Sequence, residues 1–140
     1  MTGFLMIQRG LSIGFFGIFG RSAELRAFDQ ALRAVDLHPK LVPEALKLTA
    51  VKLLVEHVES GEPAPQSYRK AAEIIAYCMI GADAFAGANQ EELAAEVERR
   101  IETALGAGSS LDAKLVLLTL HADVIQPSVV EFFQLESGVE

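Results

Sequence analysis

The sequence predicts an all-α protein, and three observations support that fold class. Apolar residues recur at helical spacing through most of the 140 residues. Proline, serine, asparagine and glycine stand where such helices should begin and end. No turn-bounded stretch shows the apolar–polar alternation of a strand. We therefore expect a compact bundle of five to six helices over residues 21–135. An apolar, Gly/Phe-rich N-terminal arm (1–20) precedes it, and a flexible tail (136–140) follows.

The first two predicted helices have clear starts. Ser22 can serve as the N-cap of a half-exposed helix whose apolar stripe includes Phe28 and Leu32. Pro43 suits the first position of the second helix, because its missing N–H needs no partner there. We expect that helix to run to about Ser60, where a glycine and two prolines prevent its continuation.

The third predicted helix begins near Ser67 and is apolar on almost every side over 74–82. Gly81 marks a kink, an end or a tight helix crossing, since glycine weakens a helix. Asn89 and Glu92 have the spacing of a capping box for a fourth helix. The narrow apolar stripe of that helix places it on the surface of the bundle.

The last two predicted helices follow a Gly-rich break at 106–108. Ser109 and Asp112 can cap the fifth helix, which we expect over 111–125. Its apolar residues lie on most sides, and this indicates a position at the centre of the bundle or at an interface. A short sixth helix starts at Pro127.

Two stretches between predicted helices resemble each other. Residues 37–43 read Leu-His-Pro-Lys-Leu-Val-Pro, and residues 120–127 read Leu-His-Ala-Asp-Val-Ile-Gln-Pro. We interpret them as one type of helix–turn–helix corner that is used twice. An internal duplication with pseudo-twofold symmetry is the alternative.

The negative charge of the chain is concentrated in its second half. The net charge is −7, and residues 61–140 hold 13 acidic and 5 basic side chains. Residues 1–60 hold six acidic and seven basic ones. Nucleic-acid binding depends on contacts between clustered Lys and Arg side chains and phosphates. The sequence of this chain shows no such basic cluster. We therefore expect no nucleic-acid partner.

The cysteine content and the N-terminal residues indicate the cellular compartment in which we expect the protein. The single Cys78 excludes an internal disulfide and a cysteine-based zinc site, which is typical of a reducing, cytoplasmic setting. The glycines of the arm and Arg21 argue against a secretory signal. The apolar run at 11–20 is too short to span a bilayer, which takes about 20 residues.

No arrangement of residues in the sequence carries a catalytic or metal-binding signature. None of the three histidines has a glutamate three residues before it, the spacing by which helical bundles hold metals. Gly14, Gly17 and Gly20 precede the first helix but lack the Lys-Ser/Thr pair of a phosphate loop. Cys78 lies on the most apolar helix, where burial makes a thiol inert. We expect neither a metal nor a cofactor, and the sequence favours a non-enzymatic protein.

The surplus of apolar residues favours a protein whose role is association. We interpret the chain as a helical protein-interaction module, either a homo-oligomer or an accessory subunit or adaptor of a larger complex. Aromatic side chains are favoured anchors in the centres of interfaces. The candidate interface residues are therefore Phe15, Phe16 and Phe19 of the arm, with Phe132 and Phe133 of the last helix.

Two other functions are compatible with the sequence. The arm (1–20) could attach the protein to a membrane surface, although a peripheral anchor usually needs a basic face as well. Alternatively, Tyr77, Phe85 and His121 could line the pocket of a small-molecule-binding domain or enzyme. His121 would then be a ligand or proton-transfer group rather than a hydrogen-bonded structural histidine.

Overall fold

The computed structural model describes residues 22–58 and 61–135, and these ranges form helices without strands. The predicted all-α class is therefore confirmed. The predicted arm (1–20) and tail (136–140) lie outside the described residues. Within the described ranges there are seven α-helices and one 3₁₀ turn: α1 (Ser22–Ala34), the turn Pro39–Leu41, α2 (Glu44–His57), α3 (Pro65–Ile80), α4 (Ala82–Ala88), α5 (Glu91–Ala107), α6 (Leu111–His121) and α7 (Pro127–Phe133).

Helix α3 is the centre of the fold. It packs against α1, α2, α4, α5 and α6, and every residue over 71–78 is buried. A helix that is enclosed on all sides can be apolar on all sides, which explains its sequence. Its small residues Ala71, Ala72 and Ala76 are almost completely buried between neighbouring helices.

Helix α6 is the second apolar helix of the core. It packs against α2, α3 and α5, and Leu115 and Val116 are fully buried. Of the two positions predicted for this helix, a place at the centre of the bundle is the one observed. Leu117 nevertheless remains 39% exposed on its outer side.

The predicted third helix is in fact two helices, α3 and α4. Gly81 separates them, with a backbone (φ 92°, ψ 167°) in a region that is essentially restricted to glycine. Its N–H donates to the carbonyl of Tyr77 (2.8 Å), and its carbonyl accepts from the N–H of Phe85 (2.9 Å). The chain therefore turns without losing these hydrogen bonds. The expected count of five to six helices is too low because of this break.

Some helix starts lie one or two residues from their predicted positions. Pro43 is the N-cap of α2 rather than its first helical residue, and α3 begins at Pro65. Ser110, not Ser109, caps α6, where its hydroxyl accepts a hydrogen bond from the N–H of Ala113 at 3.1 Å. These shifts leave the predicted helical segments in place.

The predicted capping box at Asn89 does not form. Gln90 occupies the N-cap of α5, without a side-chain hydrogen bond. The Asn89 amide instead donates to the carbonyls of Val35 and Phe85, both at 3.2 Å. Asn89 therefore ties the end of α4 to the end of α1.

The two similar corners share one backbone geometry. Asp36 and Asp123 both have a left-handed backbone, with φ of 64° and 61°. The N–H of Leu37 and that of Val124 each donate to the carbonyl five residues earlier, at 3.0 and 3.1 Å. This is the Schellman end of a helix. The two corners therefore correspond through their aspartates rather than their histidines. The same motif also ends α7, where Gln134 has φ 55° and the N–H of Leu135 donates to the carbonyl of Val130 at 2.9 Å. Helix α6 ends at His121, four residues before the predicted end.

Replacing Gly81 tests the helix break. We expect Gly81→Ala to lower the free energy of unfolding by about 1–3 kcal/mol, because a residue with a side chain is strained in this backbone region. Its Cβ would meet the Ser128 hydroxyl at 3.4 Å, an ordinary contact, so strain rather than collision sets the cost. Gly106→Ala is the control, since Gly106 lies within α5 and has open space around it. The control should be neutral or stabilising by up to about 1 kcal/mol. Urea denaturation measures both, and equal effects would contradict the assignment.

Candidate functional site

Four aromatic side chains form a continuous cluster that runs from the core to the surface. The ring centroids of Phe85 and Tyr77 are 5.8 Å apart, those of Tyr77 and Phe133 are 6.3 Å apart, and those of Phe133 and Phe132 are 4.8 Å apart. Tilted and edge-to-face contacts of this kind are favourable for aromatic rings. Phe85 and Tyr77 are buried and Phe133 is half-buried, but Phe132 is 61% exposed. An exposed phenylalanine is thus connected to the core by ring contacts.

Phe132 forms one wall of a groove of about 380 Å³ between α3, α4, α5 and α7. We call it the Phe132 groove. Its lining is mostly apolar, and both of its charged side chains are acidic. The residues that line it are Tyr77, Ile80, Gly81, Ala82, Ala84, Val129 and Phe132, together with the polar Ser128 and the acidic Asp83 and Glu98.

The first turn of α7 holds this helix against the groove. The N–H of Gln126 donates to the carbonyl of Cys78 near the end of α3, at 2.8 Å. Val129 is 2% exposed and anchors the helix in the core. Residues three and four positions further along a helix lie on the same side. Phe132 and Phe133 are therefore presented next to the groove.

Tyr77 is fixed by a hydrogen bond as well as by ring contacts. Its hydroxyl donates to Oε2 of Glu98 at 2.7 Å. Burial raises the pKa of Tyr77 far above its ordinary value of 10.0, and the hydrogen bond to Glu98 raises it further. The phenol therefore stays protonated and donates to the carboxylate, which joins α3 to α5 beside the groove.

The structure brings some of the sequence-predicted site residues together. Tyr77, predicted for a ligand pocket, meets Phe132 and Phe133, predicted for an interface. Phe85 lies fully buried behind Tyr77, and His121 is exposed at the end of α6 and is not among the residues that line the groove. A pocket shared by Tyr77, Phe85 and His121 therefore stays a prediction. The other three interface candidates, Phe15, Phe16 and Phe19, lie outside the described residues.

A polar cluster around Arg100 joins α3, α5 and α6. The guanidinium donates to the carboxylate of Glu73 (2.9 Å), to both oxygens of Asp112 (3.0 and 3.2 Å) and to the carbonyl of Lys70 (3.0 Å). The side chains of Arg100 and Glu73 are 14% and 11% exposed. Because each guanidinium nitrogen donates to an acceptor of the protein, the cluster acts as a clamp between three helices.

A larger groove than the one at Phe132 lies beside this clamp. It has a volume of about 550 Å³, and a neighbouring groove has one of about 480 Å³. Arg100 and Asp112 line both grooves but already pair with each other. We therefore place the candidate site at the smaller Phe132 groove, where an apolar group is exposed.

The sequence did not predict two buried polar contacts, the clamp and the Lys47–Asp29 ion pair. The expectation of a buried, inert Cys78 agrees with the structure. The clamp was missed because Arg100 lies on a helix that the sequence places at the surface. Lys47 is also buried, and its Nζ lies 3.1 Å from the carboxylate of Asp29 on α1. Burial raises the pKa of the Cys78 thiol to about 12, so the thiol is protonated at neutral pH, in agreement with the expectation that it is inert.

Residues 22–58 and 61–135 hold no group of three His, Cys, Asp or Glu side chains that could bind a metal ion. No helix in these ranges has the length and apolar character needed to cross a membrane.

Protein-family models, curated proteins and solved structures were compared with the chain, and none of them matches it. Any function must therefore be argued from the geometry of the described residues.

Removing the cation of the clamp should destabilise the protein. We expect Arg100→Met to lower the free energy of unfolding by about 1–3 kcal/mol, because Glu73 keeps only its longer ion pair with Arg69 (3.5 Å) and Asp112, whose side chain is 27% exposed, loses its cationic partner. The control is Arg99→Met, since Arg99 is exposed, and it should change stability by less than about 0.5 kcal/mol. Urea denaturation measures both. Similar values for the two variants would show that the clamp is not stabilising.

The alkaline stability of the protein should depend on Tyr77. The pKa of its phenol is raised in the folded state, so the unfolded state releases this proton first. The stabilising contribution is complete below pH 10 and is lost as the pH rises above it. Tyr77→Phe should therefore make the free energy of unfolding less dependent on pH above 10. Tyr68→Phe is the control, because the pKa of Tyr68 is raised to a smaller extent. Identical slopes for the unmodified protein and Tyr77→Phe would contradict the expected proton linkage.

Proposed function

We propose that this chain is a non-enzymatic association module that binds protein through the Phe132 groove. The observation that carries this proposal is the 61% exposure of Phe132, beside an apolar groove and in ring contact with the core. Burying a fully exposed phenylalanine side chain is worth about 1.5–3 kcal/mol, and covering the exposed 61% of Phe132 would gain the corresponding part of this free energy. Aromatic residues of this kind are enriched at the buried centres of interfaces. The module can act as a homo-oligomer or as an accessory subunit of a larger complex.

The groove is formed before any partner arrives, which supports a role in binding. Phe132 packs edge-to-face on Phe133, and Val129 and the Gln126–Cys78 hydrogen bond hold α7 in position. Binding of a partner would therefore cost little conformational entropy in these side chains. A rigidly held apolar side chain that is exposed to water is unfavourable in an isolated monomer, but it is favourable in a surface that binds a partner.

The polar clusters of the described residues support the non-enzymatic part of the proposal. Arg100 binds both Glu73 and Asp112, and the Tyr77 hydroxyl donates a hydrogen bond to Glu98. The Cys78 thiol is buried and protonated. These groups stabilise contacts between helices, and each has a structural role without a substrate.

Self-association is the form of this function that can be tested on the purified chain. The apparent mass should rise above 15.1 kDa as the protein concentration increases in size-exclusion chromatography with light scattering. Phe132→Ser should weaken association by at least about tenfold, the loss expected for an interface anchor. Leu41→Ser is the matched control, because Leu41 is 65% exposed but lies in the 3₁₀ turn and is not among the residues that line the groove. It should leave association unchanged.

Two results would contradict parts of the proposal, the first its homo-oligomeric form and the second its defined site. An unmodified chain that stays monomeric at high micromolar concentration would argue against self-association. Equal weakening by Phe132→Ser and Leu41→Ser would show that exposed apolar residues associate without a defined site. Leu41→Ser should change folding stability by less than about 0.5 kcal/mol, whereas Phe132→Ser loses the ring contact with Phe133 and should cost about 0.5–1.5 kcal/mol. Circular dichroism can confirm that both variants remain folded.

A further inference from the structure

We propose that the Phe132 groove binds a basic amphipathic helix of a partner protein, an occupant that rests on the protein-binding function proposed above. The apolar side of this helix contacts Phe132, and its lysine or arginine side chains face the acidic residues around the groove. The charge of the groove, the charge of the surrounding helices and the lack of a strand edge in the described ranges support this partner.

The groove combines an exposed apolar wall with negative charge. Phe132 is 61% exposed, and both charged side chains of the lining, Asp83 and Glu98, are acidic. The ion pairs of the described residues involve other carboxylates. Glu98 accepts a hydrogen bond from the neutral hydroxyl of Tyr77, which leaves its charge in place. A cation of the partner would therefore be the first to pair with these two carboxylates among the described residues.

The helices around the groove extend this negative charge. Asp83 is the single charged residue of α4, and Glu131, beside Phe132, is the single charged residue of α7. Both side chains are exposed. Glu102 is exposed as well, and it lies four residues after Glu98 on the same side of α5. An apolar patch with acidic residues on three helices is thus presented to a partner.

The basic side chains of this region lie elsewhere. Helices α4 and α7 contain no lysine or arginine. The two arginines of α5, Arg99 and Arg100, line the larger groove beside the clamp and are not among the residues that line the Phe132 groove. Complementary charge favours the correct pairing of two surfaces and raises their rate of encounter. A partner with cations beside its apolar side chains therefore matches this surface.

The same charges disfavour a second copy that meets the groove face to face. Such a dimer has two-fold symmetry, so the same surface of each copy takes part. Asp83, Glu98 and Glu131 of one copy would then lie near the same carboxylates of the other, and facing like charges cost free energy. The net charge of −7 also makes two copies repel each other at a distance. A basic helix should therefore bind the groove more tightly than a second copy does.

The described residues also limit the form of the partner. An extended segment can bind by adding a strand to an open sheet edge, but residues 22–58 and 61–135 form no strands. An amphipathic helix binds an apolar groove through side chains three, four and seven positions apart. These residues cover one side of the helix and leave its other sides to lysine and arginine.

Three synthetic peptides of about 14 residues, or four helical turns, test the partner chemistry on the full-length chain. The basic peptide has leucines three and four positions apart and lysines elsewhere. The acidic peptide has glutamate for each lysine, and the third peptide has serine for each leucine. By fluorescence anisotropy the basic peptide should bind at least about tenfold more tightly than either other peptide. Raising the salt from about 0.01 M to about 0.15 M should weaken it, because the Debye length falls from about 30 Å to about 8 Å.

Matched variants of the chain locate the binding site. Phe132→Ser should weaken binding of the basic peptide at least about tenfold. The double variant Asp83→Asn and Glu131→Gln should weaken it roughly threefold to tenfold at low salt, since it removes two exposed ion pairs. The control, Glu56→Gln with Glu62→Gln, removes the same charge from exposed residues that do not line the groove. It should change binding by less than about twofold, and circular dichroism can confirm that each variant remains folded.

The other outcomes assign the groove differently. Equal weakening by the two double variants would show that net charge rather than the groove attracts the basic peptide, and it would overturn the basic-helix partner. Tighter binding of a lysine–proline peptide of equal charge would assign an extended partner and would also overturn it. If the basic peptide does not bind but Phe132→Ser reduces self-association, a second copy occupies the groove; the basic-helix partner is wrong and the proposed function stands. If the chain binds neither the basic peptide nor itself, both proposals fail.

Discussion

Burial of α3 on every side is the constraint on which the rest of the structure depends. A polar group inside such an enclosure is costly unless it is paired. The two polar side chains of its buried stretch, Glu73 and Tyr77, find their partners on α5, in Arg100 and Glu98. Helix α5 is therefore held by hydrogen bonds as well as by its apolar stripe. One of its acidic residues is thereby placed at the rim of the candidate site.

The candidate site arises where this central helix ends. Gly81 stops α3 and redirects the chain into α4, and the linker before α7 returns to the Cys78 carbonyl. The core aromatic Tyr77 thus continues through Phe133 to a surface phenylalanine. The buried polar groups near the groove already form hydrogen bonds with one another. The exposed apolar surface of Phe132 is therefore the feature of this region that a partner could bind. This is why we propose association rather than catalysis as the role of this surface.

Sequence reasoning was most successful where the information is local. The stripe that includes Phe28 and Leu32 is buried as predicted, because helical periodicity needs only neighbouring residues. Gly81 was identified as a special position, but three outcomes were open; whether a weakened helix bends, ends or continues depends on what packs beside it. Asn89 shows the same limit, since its amide found carbonyl partners in place of a cap.

The sequence by itself determined the all-α class, the helical segments and the aromatic residues of α7 as candidates for contact. Only the tertiary structure decided that Tyr77 and Phe132 share a groove, and that Arg100 is a clamp rather than a surface charge. The physical reason is separation along the chain. Arg100 and Glu73 are 27 residues apart, and Tyr77 and Glu98 are 21 apart. Helical periodicity and capping act within a few turns, whereas these contacts exist only once the helices have packed around α3.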